Sequence, residues 1–253
     1  MNRALLAIET STSEARVGVF DADSGERRAG AAAVSERHSS NLLRLCVEVT
    51  EEAGVAISQL AAIACGAGPG SFTGLRVGYA VAKGFALPFG IPFLSTSSLQ
   101  ALAWDMAPLA RPGERILPCL DAGKGQIYVA LFETAAPERD GAPDQAPGRA
   151  VKRLGDDWVI GPGAAGEIPS GAPEGPEGAS VLFAGPGAVR YRDVMQAALG
   201  GSARFAEVAG PSAEAVAAHV LPRWRRGERE DLATAVPAYG RAPDITRPKK
   251  PSS

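Results

Sequence analysis

Histidine is scarce in this chain of 253 residues: there are two, His38 and His219. Neither has a second histidine at the spacing of an HExxH or HxxxH motif. Zinc or iron catalysis needs several His or mixed His/carboxylate ligands, so the supply of ligands argues against that chemistry. Both histidines read as surface or capping residues. Cysteine is scarce too. Cys46, Cys65 and Cys119 form no CxxC pair and read as small buried hydrophobes in a reducing compartment. No Gly-Lys-Ser/Thr follows a glycine loop, which excludes a Walker A phosphate loop, and no Gly-x-Ser-x-Gly elbow presents a nucleophilic serine. A net charge of −2 lacks the positive excess that binds nucleic acid by charge alone. No apolar run approaches the roughly 18 residues of a membrane span. The opening Met1–Glu9 places a glutamate too early for a secretion signal and shows no cleavage site, so the expected location is the cytoplasm.

What is present is a glycine-rich stretch, Gly66-Ala-Gly-Pro-Gly-Ser-Phe-Thr-Gly-Leu-Arg-Val-Gly78. It follows an apolar run, Leu60–Cys65, and leads into a segment with helical spacing. A buried strand, a glycine turn and a helix N-terminus together make a common anion cradle. Around it the chain reads as strands at Leu5–Thr10, Arg16–Asp21 and Ala29–Val34, joined by turns into an antiparallel meander. A helix capped by Ser39 or Ser40 runs to Ala53 and ends at Gly54. A second helix spans Phe72–Leu87, broken by Pro88 and Gly90. A strand at Ile91–Leu94 and a helix from Ser97 or Ser98 to Met106 complete the first lobe. Pro108–Gly113 marks a boundary. The second lobe opens with Ile116–Asp121, turns at Gly123-Lys124-Gly125 and continues through Ile127–Glu133. Residues 134–150 and 161–178 read as loops, Val181–Gly185 as a strand, and Tyr191–Leu199 and Ala213–Arg226 as helices. This order predicts an α/β layer architecture with lobes at 1–107 and 108–240 and a disordered tail at 241–253.

Three places invite chemistry. At the end of the first strand, Glu9, Thr10 and Ser11 form either a hydroxyl-rich hairpin turn or a turn that approaches phosphates and metal. Asp121, with Gly123-Lys124-Gly125 and Tyr128, mirrors it in the second lobe as a turn aspartate or a second phosphate loop. In the glycine stretch, Gly70, Gly74, Gly78, Ala82 and Ala86 recur every four residues. They form a stripe on which another backbone can pack closely, either within the chain or from a partner.

Leu5-Leu6-Ala7-Ile8-Glu9-Thr10-Ser11-Thr12, Glu36–Leu43, Gly66–Gly78 with Ala82-Lys83-Gly84, Leu120-Asp121-Ala122 and Pro237-Ala-Tyr239-Gly-Arg241 resemble the TsaB family. These are dimerization subunits of the bacterial complex that makes threonylcarbamoyladenosine in tRNA. The resemblance is dense over about residues 3–130. It implies a two-lobed fold like the actin, Hsp70 and sugar-kinase ATPases. It implies a non-catalytic scaffold that binds the paralogous transferase TsaD as a heterodimer, with a TsaE-like ATPase joining and a homodimer forming in the absence of TsaD. It also implies contact with tRNA through the complex and none with membrane. On this alignment the metal-binding HxxxH pair of TsaD falls on Ser98 and Leu102, so metal ligands are missing. Most relatives carry Asp where this chain has Glu9. The longer side chain would displace a metal-bound water, which implies a vestigial nucleotide site at Glu9, Thr10, Ser11, Gly68, Gly70 and Asp121. No tightly bound cofactor is expected, with ATP or ADP confined to the complex interface. The expected docking surface is Leu42, Leu45, Cys46 and Val49 of the first helix with Gly70, Gly74 and Gly78 of the second, and Arg76 paired to a partner carboxylate. The alternative is an autonomous ATPase or kinase of the same fold.

Overall fold

A computed structural model describes residues 3–34, 38–111, 114–134, 150–167 and 180–240. The first sheet is built from β1 (Ala4–Glu9), β2 (Glu14–Asp21), β3 (Arg27–Val34), β4 (Ala62–Gly66) and β5 (Phe93–Thr96), in the order β3-β2-β1-β4-β5. β1 pairs antiparallel with β2, and β2 with β3, while β4 and β5 run parallel to β1. Every residue of β1 is buried. That is why the segment reads as an unbroken apolar run rather than an alternating one: both faces of a central strand are covered. Leu6 and Ile8 face one apolar cluster, Leu5 and Ala7 the other. Each fully buried Leu or Ile of this strand contributes about 1.5–3 kcal/mol.

The first cluster is closed by α1 (His38–Glu52) and α2 (Phe72–Phe89). α1 begins ahead of Ser39 and Ser40, which lie in its first turn, and Gly54 ends it with φ 68°. α2 runs through Pro88 instead of stopping at Leu87, and ends where Gly90 adopts a left-handed conformation and its N–H reaches Ala86 and Leu87 carbonyls. Pro88 sits in the last turn, where a missing N–H forfeits one bond only, and buried Ala86 holds that turn against the core.

The other face carries α3 (Ser98–Met106), whose N-cap is Ser97, and α6 (Ala213–Arg225). α6 comes from the far end of the chain. Its Val216, Val220 and Trp224 pack with Leu5, Ala7 and Phe20 of the first sheet. The chain therefore returns to the first lobe, and residues 108–240 do not form the second lobe by themselves. Within α6, His219 is neither a surface nor a capping residue. It is half-buried; its Nδ1–H donates to the Ala215 carbonyl at 2.8 Å and its Nε2 accepts from the Gln100 amide at 3.3 Å. Burial lowers its pKa.

The second sheet repeats the first. Its strands are β6 (Arg115–Gly123), β7 (Gln126–Val129), β10 (Trp158–Ile160), β11 (Val181–Ala184) and β12 (Ala203–Phe205), in the order β10-β7-β6-β11-β12. As in the first sheet, the second strand is antiparallel to the first, and the fourth and fifth are parallel to it. β8 (Phe132–Thr134) and β9 (Val151–Arg153) extend the sheet from β6. The predicted single strand Ile127–Glu133 is thus two: the chain leaves β7 at Ala130 and re-pairs with the start of β6. Gly123-Lys124-Gly125 makes the hairpin turn with all three residues at positive φ. α4 (Pro186–Arg190) and α5 (Arg192–Leu199) cover one face. α3 covers the other, with Leu99, Leu102 and Met106 packed on β6 and β11, so this helix is shared by both lobes. Among the described residues no helix is long and apolar enough to cross a membrane. The tail at 241–253 and the greater part of the two predicted loops lie outside the described residues.

Candidate functional site

β1 ends at Glu9, and the chain turns through Thr10, Ser11 and Thr12 directly against the glycine loop. Glu9 is buried. Its Oε1 accepts the Ser11 N–H at 2.6 Å and its Oε2 accepts the Ser98 hydroxyl at 2.9 Å. Ser98 in turn accepts the Gly68 N–H at 3.1 Å, and its own N–H donates to the Gly68 carbonyl at 2.8 Å. One carboxylate therefore links the end of β1, the glycine loop and the start of α3. Burial raises the Glu9 pKa, opposed by the hydrogen bonds from Ser11 and Ser98. Gly66 leaves room for it: a Cβ there would fall 2.0 Å from Glu9 Oε2.

Further donors of the loop are committed within the chain. The Ala67 N–H donates to the Thr96 carbonyl and the Ser71 N–H to the Ser11 carbonyl, each at 2.7 Å. Ser71 caps α2 by accepting the Gly74 N–H at 3.2 Å. A phosphate cradle needs free backbone donors. Here the N–H groups of Ser11, Ala67, Gly68 and Ser71 all meet protein acceptors, and the group in their midst is the protein's own Glu9 carboxyl. Those four donors are closed to a phosphate seated on the loop. Thr10 Oγ1 and Ser11 Oγ are buried without hydrogen-bond partners, and the Thr10 hydroxyl lies over Gly78 of α2, within the packing.

The small-residue stripe is explained by the same contacts. A Cβ on Gly70 would fall 2.3 Å from the Ser11 carbonyl, one on Gly74 2.2 Å from the Thr10 carbonyl, and one on Gly78 2.4 Å from Thr10 Oγ1. Ala82 and Ala86 continue inward into the first cluster. The backbone that approaches so closely is the β1–β2 turn of this chain, which corrects the assignment of Gly70, Gly74 and Gly78 to a partner. Leu42, Leu45, Cys46 and Val49 need the same correction. All four are buried in the lobe's own core, because the i, i+3, i+4, i+7 positions of α1 are the ones that face the sheet. Arg76 is exposed, and its guanidinium lies over the Phe72 ring at 5.3 Å.

Asp121 is engaged within the second lobe. Its Oδ1 accepts the Gly123 N–H at 2.9 Å and its Oδ2 the Arg190 Nη1 at 2.6 Å. Leu102 packs between the lobes, 2.7 Å from where a Cβ on Gly185 would lie. Among the described residues no three His, Cys, Asp or Glu side chains come together to hold a metal ion. All three cysteines are buried thiols whose pKa burial pushes up, Cys46 to about 12.

Two features escaped the sequence reading. A cavity of about 610 Å³ in the second lobe is lined by Val189, Arg190, Arg192, Phe205 and Glu207 among others. Pro186 also lines it, and belongs to Gly185-Pro-Gly187, a strand-to-helix glycine turn that the sequence displays openly. The second feature is apolar surface on the first helix pair: Leu43 is 50% exposed, Phe72 49%, Leu87 62% and Phe89 55%. Phe89 also lines a groove of about 560 Å³ with Val47 and Ile57. Leu43 and Leu87 lie off the core-facing sides of α1 and α2, while Phe72 and Phe89 sit at the two ends of α2; for the two leucines, the complement of the periodic core positions was the available signal.

Two lobes of one repeated strand order, with helices on both faces of each sheet, define the class: an actin/Hsp70/sugar-kinase-like α/β fold. Within it, residues 32–242 match the family described as TsaD: tRNA N6-adenosine threonylcarbamoyltransferase, and the chain belongs to that family. It is a TsaB-like member. The tRNA threonylcarbamoyladenosine biosynthesis protein TsaB of Escherichia coli (strain K12) is 30% identical over 129 residues, 51% of this chain and 54% of that protein. Its Haemophilus influenzae counterpart is 32% identical over 129 residues, 51% and 53% of the two chains. The chain spans about half the length of these curated relatives. The solved structure of YeaZ from Pseudomonas aeruginosa is 27% identical with a TM-score of 0.72, covering 94% of this chain and 99% of that one.

Proposed function

We propose that this chain is a non-catalytic subunit in the synthesis of threonylcarbamoyladenosine in tRNA, and that it docks the paralogous TsaD-like transferase through the outer face of α1 and α2. The observation that carries this reading is the exposed apolar set Leu43, Phe72, Leu87 and Phe89 on two adjacent helices of a TsaB-like chain. Large apolar side chains left in water on neighbouring helices mark an interaction face. The same face serves a second copy when the paralog is absent, a TsaE-like ATPase joins the assembled pair, and tRNA is met through the complex. The isolated chain holds no nucleotide on its glycine loop.

The test is co-expression of Leu43→Asp/Leu87→Asp with the paralog, followed by size-exclusion chromatography and an assay of tRNA modification. Both positions are solvent-exposed, so the variant keeps its melting temperature. It elutes alone and supports no modification; burying each leucine at an interface is worth about 1.5–3 kcal/mol, so losing both weakens binding at least a hundredfold. Normal co-elution of the variant sinks the assignment. The second reading, an autonomous ATPase or kinase, draws on the cavity beside Arg190 and Arg192. It requires micromolar ATP affinity with turnover in the isolated chain, which calorimetry and phosphate release measure directly.

A further inference from the structure

The chain does not end its structural work with α6. It reverses at Gly227 (φ 87°) and runs along the free edge of β5. The Glu230 N–H donates to the Phe93 carbonyl at 2.9 Å, and the Glu230 carboxylate accepts the Ser95 N–H at 2.7 Å and its hydroxyl at 2.9 Å. This covers an open strand edge. The four residues Pro237–Gly240 then do something different: they touch three separate elements. The Ala238 N–H donates to the Ala67 carbonyl of the glycine loop at 2.8 Å. The Tyr239 ring lies on Phe72 at the head of α2, 4.8 Å between centroids. The Tyr239 carbonyl accepts the hydroxyl of Tyr128, a residue of the second lobe, at 3.2 Å. Gly240, at φ 64°, fits between the lobes: a Cβ there would fall 2.9 Å from both Pro69 and Tyr128.

We propose that Pro237–Gly240 is an inter-lobe latch. It bonds the glycine loop on one side and Tyr128 on the other, and so holds the two lobes closed over the loop. Its release uncovers the loop where the lobes meet, while the lobes stay joined through α3 and neither sheet unfolds. Two hydrogen bonds and one ring contact are few enough to open locally, as small peripheral units do well below the free energy of global unfolding. The latch belongs to the free chain and stands whether or not the docking assignment above holds.

Hydrogen exchange on the full-length chain tests it. Tyr128→Phe keeps the ring and deletes the hydroxyl that reaches across the lobes. Amides of residues 67–71 should then exchange about fivefold faster, the weight of one lost hydrogen bond. Ala238→Pro with Tyr239→Ala removes the other bond and the ring contact, and exchange rises further. Tyr239→Phe keeps the ring and the carbonyl and exchanges like the parent chain. Amides of β1 and β6 stay at parent rates throughout. Loop exchange that does not move in Tyr128→Phe overturns the latch, as does a rise in the loop matched by an equal rise in β1 and β6.

Discussion

Gly74 and Gly84 lie in the same helix, and adding one methyl to each should have opposite effects. A Cβ on Gly84 meets nothing within 4 Å, and the residue is exposed. Gly84→Ala therefore gains the helix-propensity difference, about 1 kcal/mol. At Gly74 the same gain is available but the new Cβ falls 2.2 Å from the Thr10 carbonyl. That atom is backbone and cannot swing aside, so α2 and the β1–β2 turn must separate. Forcing a methyl into such a contact costs about 1–3 kcal/mol. The separation also strains the bond from the Ser71 N–H to the Ser11 carbonyl, about 1 kcal/mol. It further disturbs the Ser71 cap, again about 1 kcal/mol. Against the propensity gain, the net loss is about 2–4 kcal/mol.

Thermal and urea denaturation of the isolated chain, followed by circular dichroism, decides the matter. With about 2–4 °C per kcal/mol for a chain of this size, Gly84→Ala should melt about 2–4 °C above the parent and Gly74→Ala about 5–15 °C below it. If both alanines stabilise, the stripe is not packed against the turn and the account of the glycine loop given above is wrong. If Gly74→Ala leaves the isolated chain untouched yet abolishes pairing with the paralog, the stripe is a partner surface after all.

Glu9→Gln should flatten a pH dependence. Burial raises the Glu9 pKa, so the folded chain holds that proton more tightly than the unfolded one. Its contribution is full below the unfolded value of about 4.5 and is lost as pH rises. Gln keeps the shape and can accept from Ser11 N–H, so urea midpoints at about pH 5 and pH 8 should differ less than in the parent, with the gain at the alkaline end. Arg204→Met should destabilise the second lobe by about 3–5 kcal/mol by stranding a buried carboxylate. Burial pushes the Glu114 carboxyl up, but the Arg204 guanidinium, the Arg111 N–H and the Ser180 hydroxyl hold it down to about 2. That stabilisation is present above about 4.5 and lost as pH falls toward 2, so parent and variant melting curves should converge in acid.

The parts of the fold that were legible in the sequence are those whose signal is local. β1 announces itself as an apolar run, Gly54 and Gly90 as helix ends, Gly123-Lys124-Gly125 as a hairpin. β9, β10 and β12 are three-residue strands with mostly half-buried side chains. Nothing in three such residues distinguishes a strand from a loop; the neighbouring strand decides. The helix α6 was legible but its destination was not, because an apolar face shows that a helix packs and not on which sheet. The misreading of Leu42, Leu45, Cys46 and Val49 has a related origin. Their spacing identifies a buried face, and a lone sequence does not say whether the covering surface belongs to the same chain. The rule of thumb that a helix buries its periodic face in its own core would have pointed to Leu43 and Leu87 instead.

Glu9 and the glycine stripe act together. If Glu9 served a metal, its extra methylene, about 1.5 Å of reach, would put the carboxylate in the wrong place. In this chain the reach has a use: it carries the carboxylate from the end of β1 across to the Ser98 hydroxyl while still accepting the Ser11 N–H. The carboxylate takes the space over Gly66, the turn behind it presses on Gly70, Gly74 and Gly78, and the N–H groups of Ala67, Gly68 and Ser71 close on protein acceptors. Each glycine is then required by the neighbour it admits, and none of the four is left over to make room for a phosphate. The space over Gly66, Gly70, Gly74 and Gly78 is here filled with the chain's own atoms. These contacts fix the start of α2, the helix that carries the exposed Phe72, Leu87 and Phe89.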